Sequence, residues 1–329
     1  MIVPAMFRAF GFALLAACLP LHAFDPETQD DSAALARHFV APSDPVGHPL
    51  QEGSFRPLPG ETISLMGGTT VFAMQDHGTF EAALQAAFPD KQLRVRNLGW
   101  PADTVYRQQR PMFFYTEKGD TREGSVPDQR EKIEPGTFVL FFGRMESLDG
   151  LEALPRFEAA YQSLVERLRG HSRRMVLVGP VPFADAGPAA ALSDERNAVL
   201  ARYGEKVAEL AHRNEAVFVD VSGLGEGDFA TDGLRLEDAG FRRLAGLLAR
   251  GLGFEMAIDD EVVAKVREKN HLWHQYYRPT NWAFLFGDRQ HVPSSRDHRD
   301  ANRRWFVEEL EKLPAMIEVA DEAIWEAAK

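Results

Sequence analysis

The chain has 329 residues, 45% of them apolar, and carries a net charge of −12. That length allows one large domain or two small ones, and the acidic balance argues against nucleic acid or an anionic membrane surface as the main partner. The only cysteine, Cys18, excludes a disulfide framework and a cysteine metal centre, so the core rests on packing alone. The first 23 residues stand apart: Arg8 is their only charge, and the apolar run Ala9–Leu21 is too short to span a bilayer. Ending in Leu21-His22-Ala23, the segment predicts a secretory signal, cleavage near Ala23, and export to the periplasm or the exterior. The tetrad Leu15-Ala16-Ala17-Cys18 also resembles the bacterial lipobox, in which Cys18 would carry a lipid anchor at the cell envelope.

Residues 24–54 are polar and read as a lead-in, with one short helix expected at Asp31–Phe39. The stretch Glu61–Thr70 organises the rest of the chain. A Pro59-Gly60 turn feeds the apolar run Ile63–Met66, which stops at Gly67-Gly68 before Thr69 and Thr70. A buried strand, a glycine bend and a hydroxyl at the strand's carboxyl end is how α/β hydrolytic folds present a nucleophile. Thr79–Phe88 predicts a helix after an intervening loop. Strands are expected at Leu93–Gly99, Thr137–Gly143, Arg174–Pro180 and Ala216–Val221, alternating with helices at Phe157–Leu168, Asp194–His212 (capped by Ser193) and Glu237–Leu252. Strands and helices alternating in this way predict a three-layer α/β/α domain over 55–253, built on a parallel sheet of five strands. Ligands of such sheets bind at the carboxyl ends of the strands. Trp100–Pro135 is a long polar connection of the kind that covers a binding face. Residues 254–329 predict a helical C-terminal extension, with helices at Asp260–Gln275 and Asn302–Ala327, packed on the sheet domain as a subdomain or lid.

Four strand-end segments, in order, resemble the SGNH (GDSL-type) hydrolase superfamily. They are Leu65-Met-Gly-Gly-Thr-Thr70, Asn97-Leu-Gly-Trp-Pro-Ala-Asp-Thr104, Phe142-Gly-Arg-Met-Glu-Ser147 and Thr231-Asp-Gly-Leu-Arg-Leu236. The spelling of these blocks and of the tail is similar to a branch common in planctomycete and verrucomicrobial bacteria. The resemblance implies a flavodoxin-like sheet and a serine esterase acting on acyl or acetyl esters, often on sugars. It places Thr69 where the family has its nucleophilic Ser and Gly99 as the oxyanion glycine. Met145 stands where the family has the oxyanion Asn, and Asp232 and Arg235 where it has the Asp and His.

Those departures have chemical consequences. A hydroxyl nucleophile needs a neighbouring base that titrates near working pH, and a guanidinium stays protonated. Arg235 is therefore expected to pair with Asp232 in a buried or half-buried ion pair. The extra methyl of Thr69 restricts χ1, and its hydroxyl is expected to cap the turn locally. Met145 offers no donor, and loss of one oxyanion donor costs about 10²–10³ in rate. Backbone N–H groups of Thr69 and Gly99, next to Gly68, would remain as an anion nest. The reading is a degenerate hydrolase that binds a small molecule, a saccharide ester or a protein partner without cofactor or metal. The competing reading is a divergent esterase that uses Thr69 or water with a recruited base. Candidate bases are His271, His274 or His291 from the tail, Glu146, or Asp103. Arg144, Arg235, Arg278 and the aromatics around them would suit a carbohydrate or a carboxylate-bearing ligand.

Overall fold

The computed structural model describes residues 39–40, 42–106, 108, 133–280, 282–285, 289 and 291–329. The expected signal segment, the Asp31–Phe39 helix except its last residue, and most of Trp100–Pro135 lie outside the described residues. Five parallel strands form the sheet: β1 (Thr62–Gly67), β2 (Arg94–Asn97), β3 (Thr137–Phe141), β4 (Met175–Val178) and β5 (Val217–Val219). Their order is β2-β1-β3-β4-β5. Leu65 pairs with both Asn97 and Val139, Val139 with Val176, and Val176 with Val217, so one register row crosses all five strands.

The helices that pack on the sheet or beside it are α1 (Thr69–His77), α2 (Thr79–Ala87), α3 (Leu154–Arg169), α4 (Ser193–Arg213), α5 (Asp238–Leu252), α6 (Asp260–Tyr277) and α7 (Leu313–Ala327). Side chains alternate across each strand, and the core divides accordingly. Ile63, Leu65, Val139 and Val176 pack with α2 and α5, whereas Met66, Phe138, Leu140 and Leu177 pack with α3 and α4. The molecule is therefore the expected α/β/α sandwich with a helical C-terminal region.

Three local expectations are corrected. Residues 69–77, expected as loop, are helix α1, which Gly78 ends in a left-handed conformation (φ +67) while donating its N–H to the Met74 carbonyl at 3.0 Å. Ser193 is not the cap of α4: the chain already turns as a 3₁₀ segment over Gly187–Leu192, and Ser193 enters the helix buried. The single tail helix expected over Asn302–Ala327 is split into Trp305–Leu310 and α7, since Pro314, without an N–H, fits only the first turn of a helix.

The C-terminal helices cover β2, an edge strand of the sheet. Three backbone carbonyls spaced two apart on this strand and its lead-in receive side-chain donors from α6 and α7. Trp325 Nε1 donates to Leu93 (2.9 Å), Lys269 Nζ to Val95 (3.0 Å) and Trp273 Nε1 to Asn97 (2.8 Å). Lys269 is fully buried and also donates to Glu81 (2.8 Å) and Asn270 (2.8 Å), while Arg96 on β2 pairs with buried Asp321 on α7. An edge sealed in this way cannot pair with another strand.

Candidate active site

β1 lies between β2 and β3, and the chain leaves β1 toward one face of the sheet and β3 toward the other, which opens a crevice at their carboxyl ends. Gly67 closes β1 because space requires it: a Cβ there would come within 2.6 Å of the Phe141 carbonyl and 2.8 Å of Val71. The chain turns directly into α1, so Thr69 is the first helical residue, with Gly68 as N-cap. Its hydroxyl is exposed and makes no capping bond, contrary to the expected local cap. A side chain at the first helical position, unlike one at the cap, is not directed at the free N–H groups of the first turn.

A cavity of about 520 Å³ opens at these strand ends. Gly68, Thr69, Asp103, Arg144, Met145, Glu146, Asp232 and Arg235, all singled out by sequence, line it together. Gly99 does not. Its N–H donates to the Asn97 side-chain oxygen at 3.0 Å, and a Cβ there would lie 2.6 Å from Val71 Cγ1. Gly99 is thus a close-packing glycine under α1, and its share of the expected anion nest is already engaged.

Asp232 and Arg235 form the expected pair, with Arg235 Nε 2.6 Å from Asp232 Oδ2. The pair is more open than expected, the two side chains being 31% and 72% exposed. The other carboxylate oxygen accepts the N–H groups of Leu234 (2.8 Å) and Arg235 (3.0 Å). These backbone bonds, then the guanidinium, hold Asp232 down to about 2. Met145, 49% exposed, adds only a thioether to the cavity.

Glu146 is structural. Its buried carboxylate accepts the Val105 N–H at 2.7 Å and the Gly143 N–H at 2.8 Å, tying the second block to the third. Burial pushes its pKa up and those N–H groups pull it back. With both oxygens committed, it is poorly placed to act as a base.

None of the three tail histidines lines the cavity. His271 meets Gln275, and His274 packs edge-on against Phe72, one turn along α1 from Thr69. His291 is exposed. Among the described residues no histidine is hydrogen-bonded to Thr69, and no group of three metal-ligating side chains occurs. Arg278 packs away from the cavity against Phe72, Trp100 and Tyr277. Three residues escaped the sequence reading. Arg196 and Phe183 line the cavity, and Ala102 adopts a positive φ of 96° in the second block.

Residues 64–244 match the model of the GDSL-like Lipase/Acylhydrolase family, and the chain belongs to that family. Among solved structures, LAE5, an alpha/beta hydrolase enzyme from the metagenome of Lake Arreo, Spain, is 18% identical. The match has a TM-score of 0.46 and covers 60% of this chain and 96% of that one. Axe2, an acetylxylan esterase from Geobacillus stearothermophilus, is 20% identical with a TM-score of 0.44, covering 61% of this chain and 98% of that one. No curated protein matches the chain.

Proposed function

We propose that this GDSL-family protein is an exported, degenerate hydrolase whose cleft binds a saccharide or ester ligand, or a partner, without cleaving it. The observation that carries the reading is the state of Asp232: both oxygens are spent on Leu234 and Arg235, and the partner guanidinium cannot take a proton from Thr69. Met145 removes a side-chain donor from the place where charge would develop. Export rests on the apolar run Ala9–Leu21 behind Arg8 and is checked by the mass of the mature protein, which would also reveal lipid on Cys18.

A second reading, a divergent esterase, is favoured by one observation: Asp103 and the exposed Thr69 line the same cavity. The two readings separate in one assay, turnover of short-chain nitrophenyl esters by the purified chain beside Thr69→Ala and Asp103→Asn. The binding reading expects all three proteins at background. Turnover that falls to background in either variant overturns it.

A further inference from the structure

The cavity holds two guanidiniums that share one ring. Arg144 Cζ lies 4.8 Å from the centre of Phe183, and Arg196 Cζ lies 5.6 Å from it. The ring offsets part of the cost of gathering like charges, and among the described residues no carboxylate forms an ion pair with either guanidinium. Among the described residues Arg196 has no hydrogen bond or ion pair and stands half-buried at the cavity wall. Arg144 donates Nη1 to the Leu234 carbonyl at 2.8 Å, while its Nε and Nη2, shielded from water, have no acceptor. Burial lowers Arg144 to about 10, so it is still a cation at neutral pH. Asp232 and Glu146 line the same cavity but are engaged by Arg235 and by backbone N–H groups. Three carboxylates and three guanidiniums line the cavity, but Arg196 and two nitrogens of Arg144 keep hydrogen-bonding capacity that the described residues do not use.

The remaining walls describe the rest of the ligand. Phe141, Phe142 and Val181 are apolar, and Met145, Leu148 and Leu234 are each close to half exposed at 49%, 47% and 48%. Exposed apolar side chains gathered at one cavity are what a ligand's apolar body covers. Asp103 and Asp232 on the same wall would repel the nearly double charge of a phosphate more than the single charge of a carboxylate.

We infer that the cavity takes a carboxylic acid with an apolar body, its carboxylate bound by Arg196 in the field of Arg144 and its body against Phe141, Phe142 and Leu148. This deepens the reading of the cleft as a binding site and rests on it. The first helical N–H groups of α1, which have no acceptor within the helix, face the same space and add to the positive potential.

The test is calorimetric titration of the purified chain with octanoate, octanamide and octyl phosphate, repeated on Arg196→Gln, Arg196→Lys and Arg144→Gln, with thermal unfolding as the folding control. Octanoate is expected to bind about 10-fold or more tighter than octanamide, since the amide accepts the guanidinium's hydrogen bond but adds no opposite charge and no second acceptor oxygen to it. Arg196→Gln should erase that preference and weaken octanamide far less than octanoate, and Arg196→Lys should restore part of it. Because Arg196 is only half-buried, its variants test the point even if Arg144→Gln unfolds. Equal binding of acid and amide, a preference that survives Arg196→Gln, tighter binding of octyl phosphate, or no binding of either C8 ligand overturns the inference. A sugar ester that still binds would then leave the parent reading standing, whereas ester turnover lost in Thr69→Ala would remove the parent reading itself.

Discussion

Ala102 stands in a backbone region that alanine avoids. Trp100 accepts the Asp103 N–H at 3.0 Å across a four-residue turn, with Pro101 second and Ala102 third at φ +96. A type II turn has this form, and its third position wants glycine. Holding an L-residue at positive φ costs about 1–2 kcal/mol, so Ala102→Gly should stabilise the chain by about 1 kcal/mol, read as a rise of a few degrees in the thermal midpoint. An unchanged or lowered midpoint would mean that the turn is not strained. Thr69, Met145, Asp232 and Arg235 could be placed from sequence because the four segments that resemble the family's blocks lie just beyond strands or on strand-end loops. The close packing of Gly99 and the two backbone N–H bonds of Glu146 were not legible because they depend on how two loops dock. Arg196 was missed because it enters from the first turn of a helix, where no strand-end pattern points.

At the level of elements, the buried pair Lys269–Glu81 binds α6 to α2 and to the sheet edge. Burial pushes the Glu81 carboxyl up and Lys269 pulls it back, and Oε1, the oxygen that Lys269 does not bond, has no hydrogen-bond partner among the described residues. Removing one member of a buried pair leaves an uncompensated charge at a cost of about 3–5 kcal/mol. Lys269→Met should lose about that much in denaturant unfolding, and adding Glu81→Leu should recover most of it. A single variant as stable as the native chain would show that the pair contributes nothing. The helices of the tail were legible from their apolar spacing, but their docking was not. Periodicity marks a buried face without saying what covers it, and the donors to Leu93, Val95 and Asn97 come from up to 232 residues away.

For the molecule as a whole, the C-terminal region is part of the sheet domain's own structure rather than a lid over the cleft. The described part of the sheet domain and the tail form one compact unit, and α6 packs on β2 and contributes Trp273, Tyr276 and Tyr277 to the same core cluster as Met66 and Leu98. A chain cut after Gly253 should therefore lose cooperative unfolding and self-associate through β2, seen as early elution by size exclusion. A monomeric, cooperatively unfolding fragment would refute this. The order of the segments has a temporal corollary. Trp325 is made long after Leu93, whose carbonyl it covers, so a nascent chain carries an open seam along β2 until α7 has emerged and docked.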